Sequence, residues 1–314
     1  MRRASASAAV LAVTALALPG HASAHVRTDV VAVDYRARVL DVPTVVRRAA
    51  TVQIYAGDQA IGLSVRPGHR VVVLGYVGEP FIRIDSTGVS VDRSSPTAAA
   101  TRLLGLHSRR RSIIWHDARI RGLPHGVRQM SWRIPLLVDG HRVAVTGDMR
   151  RVDRPSPWPW LALGIPFIAL AGLVVFRRRP LVARAATWLG AAAAGGTLVT
   201  AASFALARTA SAGRWLEGAA ELVFVAIGVG ALAVGRREAR GIAGGALGLV
   251  AVSCAATKVP VYLHGVVLAA VPADPARALV ALTLWTGLAA SATGVVAFFE
   301  LLERADHMVL PHHP

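Results

Sequence analysis

The chain holds one cysteine, one lysine and no asparagine in 314 residues, and its 18 acidic side chains face 35 basic ones. A single thiol cannot staple a domain, so a small disulfide-framed secreted fold is excluded. With Lys258 the one lysine, the other 34 basic residues (35 − 1) are arginine, as GC-rich coding gives. Catalytic signatures are missing too. There is no G-x-S-x-G elbow, no H-E-x-x-H and no cysteine outside the apolar stretch that carries Cys254, so no catalytic residue is assigned and the chain is not expected to be an enzyme. No long apolar run carries two histidines at ligand spacing, which argues against a bis-histidine haem cytochrome. Nor does any run hold the cluster of mid-span acidic groups that an ion-coupled carrier needs, which leaves little for a transporter.

Apolar surface, by contrast, is abundant. The sequence is 54% hydrophobic with a mean hydropathy of +0.49, which excludes a disordered chain and places much of the molecule in lipid. Arg2 and Arg3 precede an apolar run from Ala8 to Leu18, Pro19-Gly20 breaks it, and Ala22-Ser23-Ala24 offers small residues to a signal peptidase. This reads as a secretory signal over 1–24, leaving His25 as the mature N-terminus.

From Trp158 onward five stretches reach the roughly 20 apolar residues that a span requires. They are Trp158 to Phe176, Ala185 to Ala207, Leu216 to Gly235, Gly241 to Lys258 and Ala278 to Leu301. Arg177, Arg178, Arg179 and Arg184 follow the first, and Arg236, Arg237 and Arg240 follow the third, whereas the alternate loops are poorer in arginine. The positive-inside bias therefore makes the Arg-rich loops cytoplasmic, in agreement with a signal that exports residues 25–157. Five spans leave 302–314 in the cytoplasm of a plasma-membrane protein. Val259 to Val271, with Pro260 and His264, is too short for another crossing and is left as re-entrant, part of the fourth span or an external loop. Gly241/Gly245 and Gly244/Gly248 give GxxxG spacing, read as packing within one bundle. Glu217, Glu221 and Lys258 fall at the outer ends of spans, where each is expected to snorkel to the interface in preference to pairing.

Residues 25–150 carry strand signals: Thr51 to Tyr55, Ile61 to Val65, Arg70 to Tyr76, Phe81 to Asp85, Val89 to Asp92, Ser112 to Trp115, Ser131 to Val138 and Arg142 to Thr146. Asp139-Gly140 between the last two predicts a type I′ hairpin, because both turn positions need positive φ. The expected fold class is α+β multidomain, an exported antiparallel β-sandwich followed by an all-α transmembrane helix bundle, joined by a Pro-rich linker over 151–157. Residues 25–156 contain 21 arginines and 11 acidic groups, a surplus of 21 − 11 = 10 positive charges, so an anionic envelope surface is an expected partner beside the lipid bilayer itself. Nucleic acid is not expected outside the cell. A further membrane or envelope protein is the remaining candidate partner.

Cleavage after Ala24 would give His25 a free amine beside its imidazole, half of a histidine brace suited to copper(II). The combination Trp132, Asp139-Gly140-His141 and Gly147 resembles the closing motif of copper-resistance CopC-type domains. That resemblance implies His25, Asp139 and His141 as copper ligands, with copper the candidate cofactor. A lesser metal candidate is His116 in Trp115-His116-Asp117, although neighbours on a strand point to opposite faces. Glu79 is expected to be a structural or binding carboxylate.

Val71 to Arg83 with its Leu74-Gly75-Tyr76-Val77-Gly78-Glu79-Pro80 motif, Ser94-Ser95-Pro96, Trp115-His116-Asp117 and Pro155 to Trp160 together resemble a group of actinobacterial multi-pass membrane proteins. The resemblance implies a signal peptide, an exported β domain and a short helical bundle, and no particular activity. In that group Trp-His-Asp continues into further histidines, where this chain has Ala118 and Arg121, and arginine commonly stands where His141 does.

Overall fold

The computed structural model describes residues 30–55, 60–177, 181–207 and 212–309. The expected signal segment over 1–24, His25, Arg178, Arg179 and the end of the tail lie outside these. The β region starts with β1 (Ala32–Val33), β2 (Tyr35–Asp41), a helical turn α1 (Thr44–Ala49), β3 (Ala50–Tyr55), β4 (Ala60–Val65), β5 (Val71–Leu74), β6 (Pro80–Asp85) and β7 (Gly88–Val91). It continues with α2 (Pro96–Thr101), β8 (His107–Ser108), β9 (Ser112–His116), β10 (Gln129–Val138) and β11 (His141–Arg151). A seven-stranded antiparallel sheet runs β2-β11-β10-β5-β6-β7-β8, and β3-β4-β9 form a three-stranded one. Side chains alternate between buried and exposed along β9 and much of β10, while β5 is buried throughout, and Ile61, Leu63 and Trp115 of the smaller sheet share one apolar core with Val71, Val73, Ile82, Trp132 and Ile134 of the larger.

The β10–β11 hairpin forms where expected, with φ of 50° at Asp139 and 87° at Gly140. Strand β2 was not foreseen. Its Arg-rich Tyr-Arg-Ala-Arg-Val alternation buries only Tyr35 and Ala37, and it pairs with β11 along an edge of the sheet. Helix α2 starts at Ser95, whose hydroxyl accepts a bond from the Ala98 amide, with Pro96 at the first helical position.

Five helical stretches are long and apolar enough to cross a membrane: Trp158–Phe176, Val182–Ala205, Arg214–Val234, Ala239–Ala256 and Ala273–Arg304. The first is built from α3 (Trp158–Ala162) and α4 (Ile165–Arg177), and the others lie within α5 (Val182–Ala205), α6 (Ala212–Val234), α7 (Arg237–Ala256) and α8 (Ala273–Val309). Helices α5, α7 and α8 form the centre, while α4 and α6 flank it with exposed Ile168, Leu173, Leu222, Val223 and Ile227. Glycine explains the close centre. A Cβ on Gly244 would strike the Ala186 carbonyl of α5, and one on Gly245 would lie 2.8 Å from Gly294 Cα of α8. The two GxxxG pairs thus divide between neighbours: Gly241 and Gly244 face α5, and Gly245 and Gly248 face α8.

Val259 to Val271, left open by the sequence, is a bridge. A 3-10 turn (Val259–Tyr262) leads to β12 (Val266–Val267), which pairs antiparallel with β1, Ala32 opposite Val267. The Leu268 amide then donates to the Val31 carbonyl at 2.8 Å. The start of the β region is therefore stitched to the loop before the last span.

Candidate functional site

At the hairpin end of the large sheet, the Asp139 carboxylate meets His69 Nδ1 at 2.7 Å and accepts the Arg70 amide at 2.8 Å. The Arg70 amide, then His69, hold this carboxyl below the usual range. His141, two residues on, is exposed. Nothing next to His69 in the sequence, in the loop of Pro67 and Gly68, marks it as a partner of Asp139. Its pairing with Asp139 needed the loop before β5 to lie against the hairpin tip, a contact across 70 residues that no local spacing announces. Among the described residues no three His, Cys, Asp or Glu side chains converge to hold a metal ion. His25, the remaining ligand of the expected copper set, lies outside those residues.

Trp115-His116-Asp117 separates into two roles. His116 is exposed at the end of β9, opposite Ala60, whereas Asp117 is fully buried. Its carboxylate accepts from Trp115 Nε1 at 3.0 Å and from Arg119 Nε at 2.9 Å and Nη2 at 2.7 Å. Arg119 also stands 5.2 Å over the Tyr76 ring and donates to the Leu74 carbonyl. The motif is a buried charge pair that ties β9 to the loop after β5.

Glu79 organises that loop. Its Oε1 accepts from Ser95 Oγ at 2.8 Å and the Thr97 amide at 3.2 Å, and its Oε2 accepts from the Val77 amide at 3.2 Å. Partial burial pushes this carboxyl up, but bonds from Thr97, Ser95 and the backbone override it and hold it at about 2. A Cβ on Gly75 would collide with the Glu79 carboxylate, and Gly78 has φ of 88°, so both glycines of the motif serve the loop.

The fourth cluster sits where the bundle meets the β region. Lys258, 2% exposed, donates to Glu217 at 3.0 Å, Glu221 at 3.1 Å and the Cys254 carbonyl at 3.1 Å. The expected snorkelling is thereby corrected: the short 3-10 turn after Lys258 holds its stem inside the bundle, where the two i,i+4 carboxylates of α6 neutralise it. Nearby Arg214 donates to the Leu268 carbonyl at 3.0 Å and to the Val30 carbonyl, gripping both strands of the β1–β12 pair. Arg277 of α8 likewise donates to the carbonyls of Val261, His264 and Gly265.

No family model, curated protein or solved structure matches the chain. The four clusters therefore stand on their own geometry. In all four the carboxylates are engaged by cations, imidazole or backbone amides. The hairpin end differs, because it presents imidazoles at a surface.

Proposed function

We propose that the chain is a non-enzymatic, five-span plasma-membrane protein that holds an antiparallel β-sandwich outside the cell and binds a ligand at the hairpin end of that domain, copper(II) being the most concrete candidate. The observation that carries the reading is the contact of His69 with Asp139 at the solvent-facing β10–β11 turn, with His141 exposed two residues on. Imidazole nitrogens suit copper(II), which stands at the top of the divalent affinity series. His25 would complete the ligand set, with Asp139 fixing the orientation of His69 through Nδ1 as carboxylates commonly do for metal-bound histidines. The outward placement is supported by position: Arg236 and Arg237, between α6 and α7, lie at the end of α6 away from Arg214 and the β region, as the positive-inside bias asks.

The test is a copper(II) titration of the purified full chain beginning at His25, beside the same chain with one residue added in front and the His141→Ala and His69→Ala variants, read by electron paramagnetic resonance. Nitrogen-rich coordination is expected, lost on extension and in His141→Ala. Weak binding indifferent to both changes would remove copper and favour the contrasting reading, a structural or assembly subunit of an envelope complex. Val77, 77% exposed at the tip of the rigid Glu79 loop, would then be the first contact to examine.

A further inference from the structure

The three-stranded sheet turns Ile61, Leu63, Ile113 and Trp115 to the core. Register arranges its outer positions in three rows: Thr51, Ser64 and Ser112, then Gln53, Gly62 and Ile114, then Tyr55, Ala60 and His116. Thr51, Gln53, Ser64, Ser112, Ile114 and His116 are exposed, and no arginine, lysine or carboxylate stands in any of the rows. In a chain with 35 basic and 18 acidic side chains that absence sets this face apart from the larger sheet, where β10 and β11 carry exposed Arg133, Arg142 and Arg150. The middle row has a second peculiarity. Gly62 is buried at an outer position because the ring of Tyr55 lies over it, and a Cβ there would collide with that ring. The Tyr55 hydroxyl donates to Gln53 Oε1, which holds the ring across the face, and Tyr55 itself stays partly exposed. Covering a strand glycine accounts for where the ring lies, but not for the lack of charge around it.

From these two features we infer that the outer face of β3-β4-β9 is a docking surface for a neutral glycan. A sugar ring has one side of C–H groups and a rim of hydroxyls. The first packs on an aromatic ring, and the second pairs with side chains that donate and accept without carrying charge. Tyr55 supplies the ring, and the Thr51, Ser64 and Ser112 hydroxyls with the Gln53 amide supply the pairing groups. Strands about 4.8 Å apart and outer positions about 7 Å apart make a face about 10 Å by 14 Å, which takes a short run of sugar rings. Other classes of partner fit less well. A polyanion finds no cation on these rows, and a protein partner finds Ile114, 47% exposed, as the one aliphatic anchor beside the ring. The face belongs to a different sheet from the hairpin end, and its binding needs neither copper nor a given side of the membrane, so it stands or falls apart from the function proposed above.

The experiment titrates the full chain in phosphatidylcholine nanodiscs, labelled at the isoleucine δ1 methyls, with neutral hexasaccharides of glucose, mannose and galactose in turn. Ile114 is the reporter, its signal identified by its loss in Ile114→Val. A saturable shift of that methyl is expected with at least one of the sugars, with a dissociation constant that salt leaves unchanged because no ion pair forms. Tyr55→Ala is expected to raise that constant about tenfold, Tyr55→Phe, which keeps the ring, by no more than about threefold, and Ser131→Ala on the larger sheet not at all. If Tyr55→Ala melts earlier than the parent, Gln53→Ala with Ser64→Ala takes its place, with a rise of about threefold to tenfold expected. The assignment is overturned by the absence of any shift up to about 10 mM sugar, by binding that ignores the face variants, or by binding that salt weakens as it weakens ion pairs.

Discussion

Glu79 shows how much one side chain can organise. Its carboxylate joins the loop after β5 to the start of α2, and its folded pKa of about 2 lies below the ordinary value of about 4.3. A carboxyl depressed in the folded state contributes stability that is complete above the ordinary value and is lost as pH falls toward the folded one. Glu79→Gln is therefore expected to lower the stability of the β region at pH 7 by about 1–3 kcal/mol, and to flatten the fall in melting temperature between roughly pH 4.5 and 2. A variant whose acid profile parallels the parent would show that Glu79 is not the group responsible. The residue was singled out in the sequence by its place in the Leu-Gly-Tyr-x-Gly-Glu-Pro motif. Its partners Ser95 and Thr97 were not, since no spacing rule joins positions 16 and 18 residues apart. The same holds for His69 and Asp139. Asp139-Gly140 declared its turn through the positive φ both residues must adopt, while the imidazole that meets it comes from another strand connection.

At the scale of elements, hydropathy located all five long apolar helices, because a span of about 20 residues averages out local irregularities. Their ends moved by several residues: α8 begins at Ala273 instead of near Ala278, and α5 at Val182 instead of Ala185. Small residues announced close packing but not which partner each would face. Gly244 lies against α5, whereas a Cβ on Gly230 of α6 would meet nothing within 4 Å. Gly244→Leu is accordingly expected to lower the melting temperature of the detergent-solubilised protein by several degrees, and Gly230→Leu to leave it nearly unchanged, within about 0.5 kcal/mol. Equal effects would mean that the central packing differs from that described. Strands were legible where β-branched residues alternate, and β2 was missed because arginine at every second place masks its narrow apolar side. The pairs of two residues each, β1 and β12, are too short for any periodicity to register.

For the whole molecule, the arrangement of charge along the spans makes a directional prediction. In a Cys254→Ser background, a cysteine at Gly140 is expected to react with a membrane-impermeant maleimide on intact cells, and one at Arg237 only after permeabilisation; the reverse pattern would place the β region in the cytoplasm. The general layout, a β region followed by membrane-type helices, was readable from composition alone, since a change of hydropathy at Trp158 divides the chain. What could not be read was how the parts join. That junction depends on Arg214, Lys258 and Arg277 bonding to carbonyls and carboxylates far away in sequence.

The pairing of Ala32 with Val267 also fixes an order of events during synthesis. Strands β2 to β11 are complete once residue 151 has left the ribosome, and their hairpins can close quickly because their contacts are mostly near in the chain. Strand β1 must then wait while four spans are made and inserted, its edge open until β12 arrives, and an open edge is a template for wrong pairing. Closure of that two-stranded seam is thus a late event: a nascent chain stalled before the final loop would carry the large sheet with its first strand still unpaired.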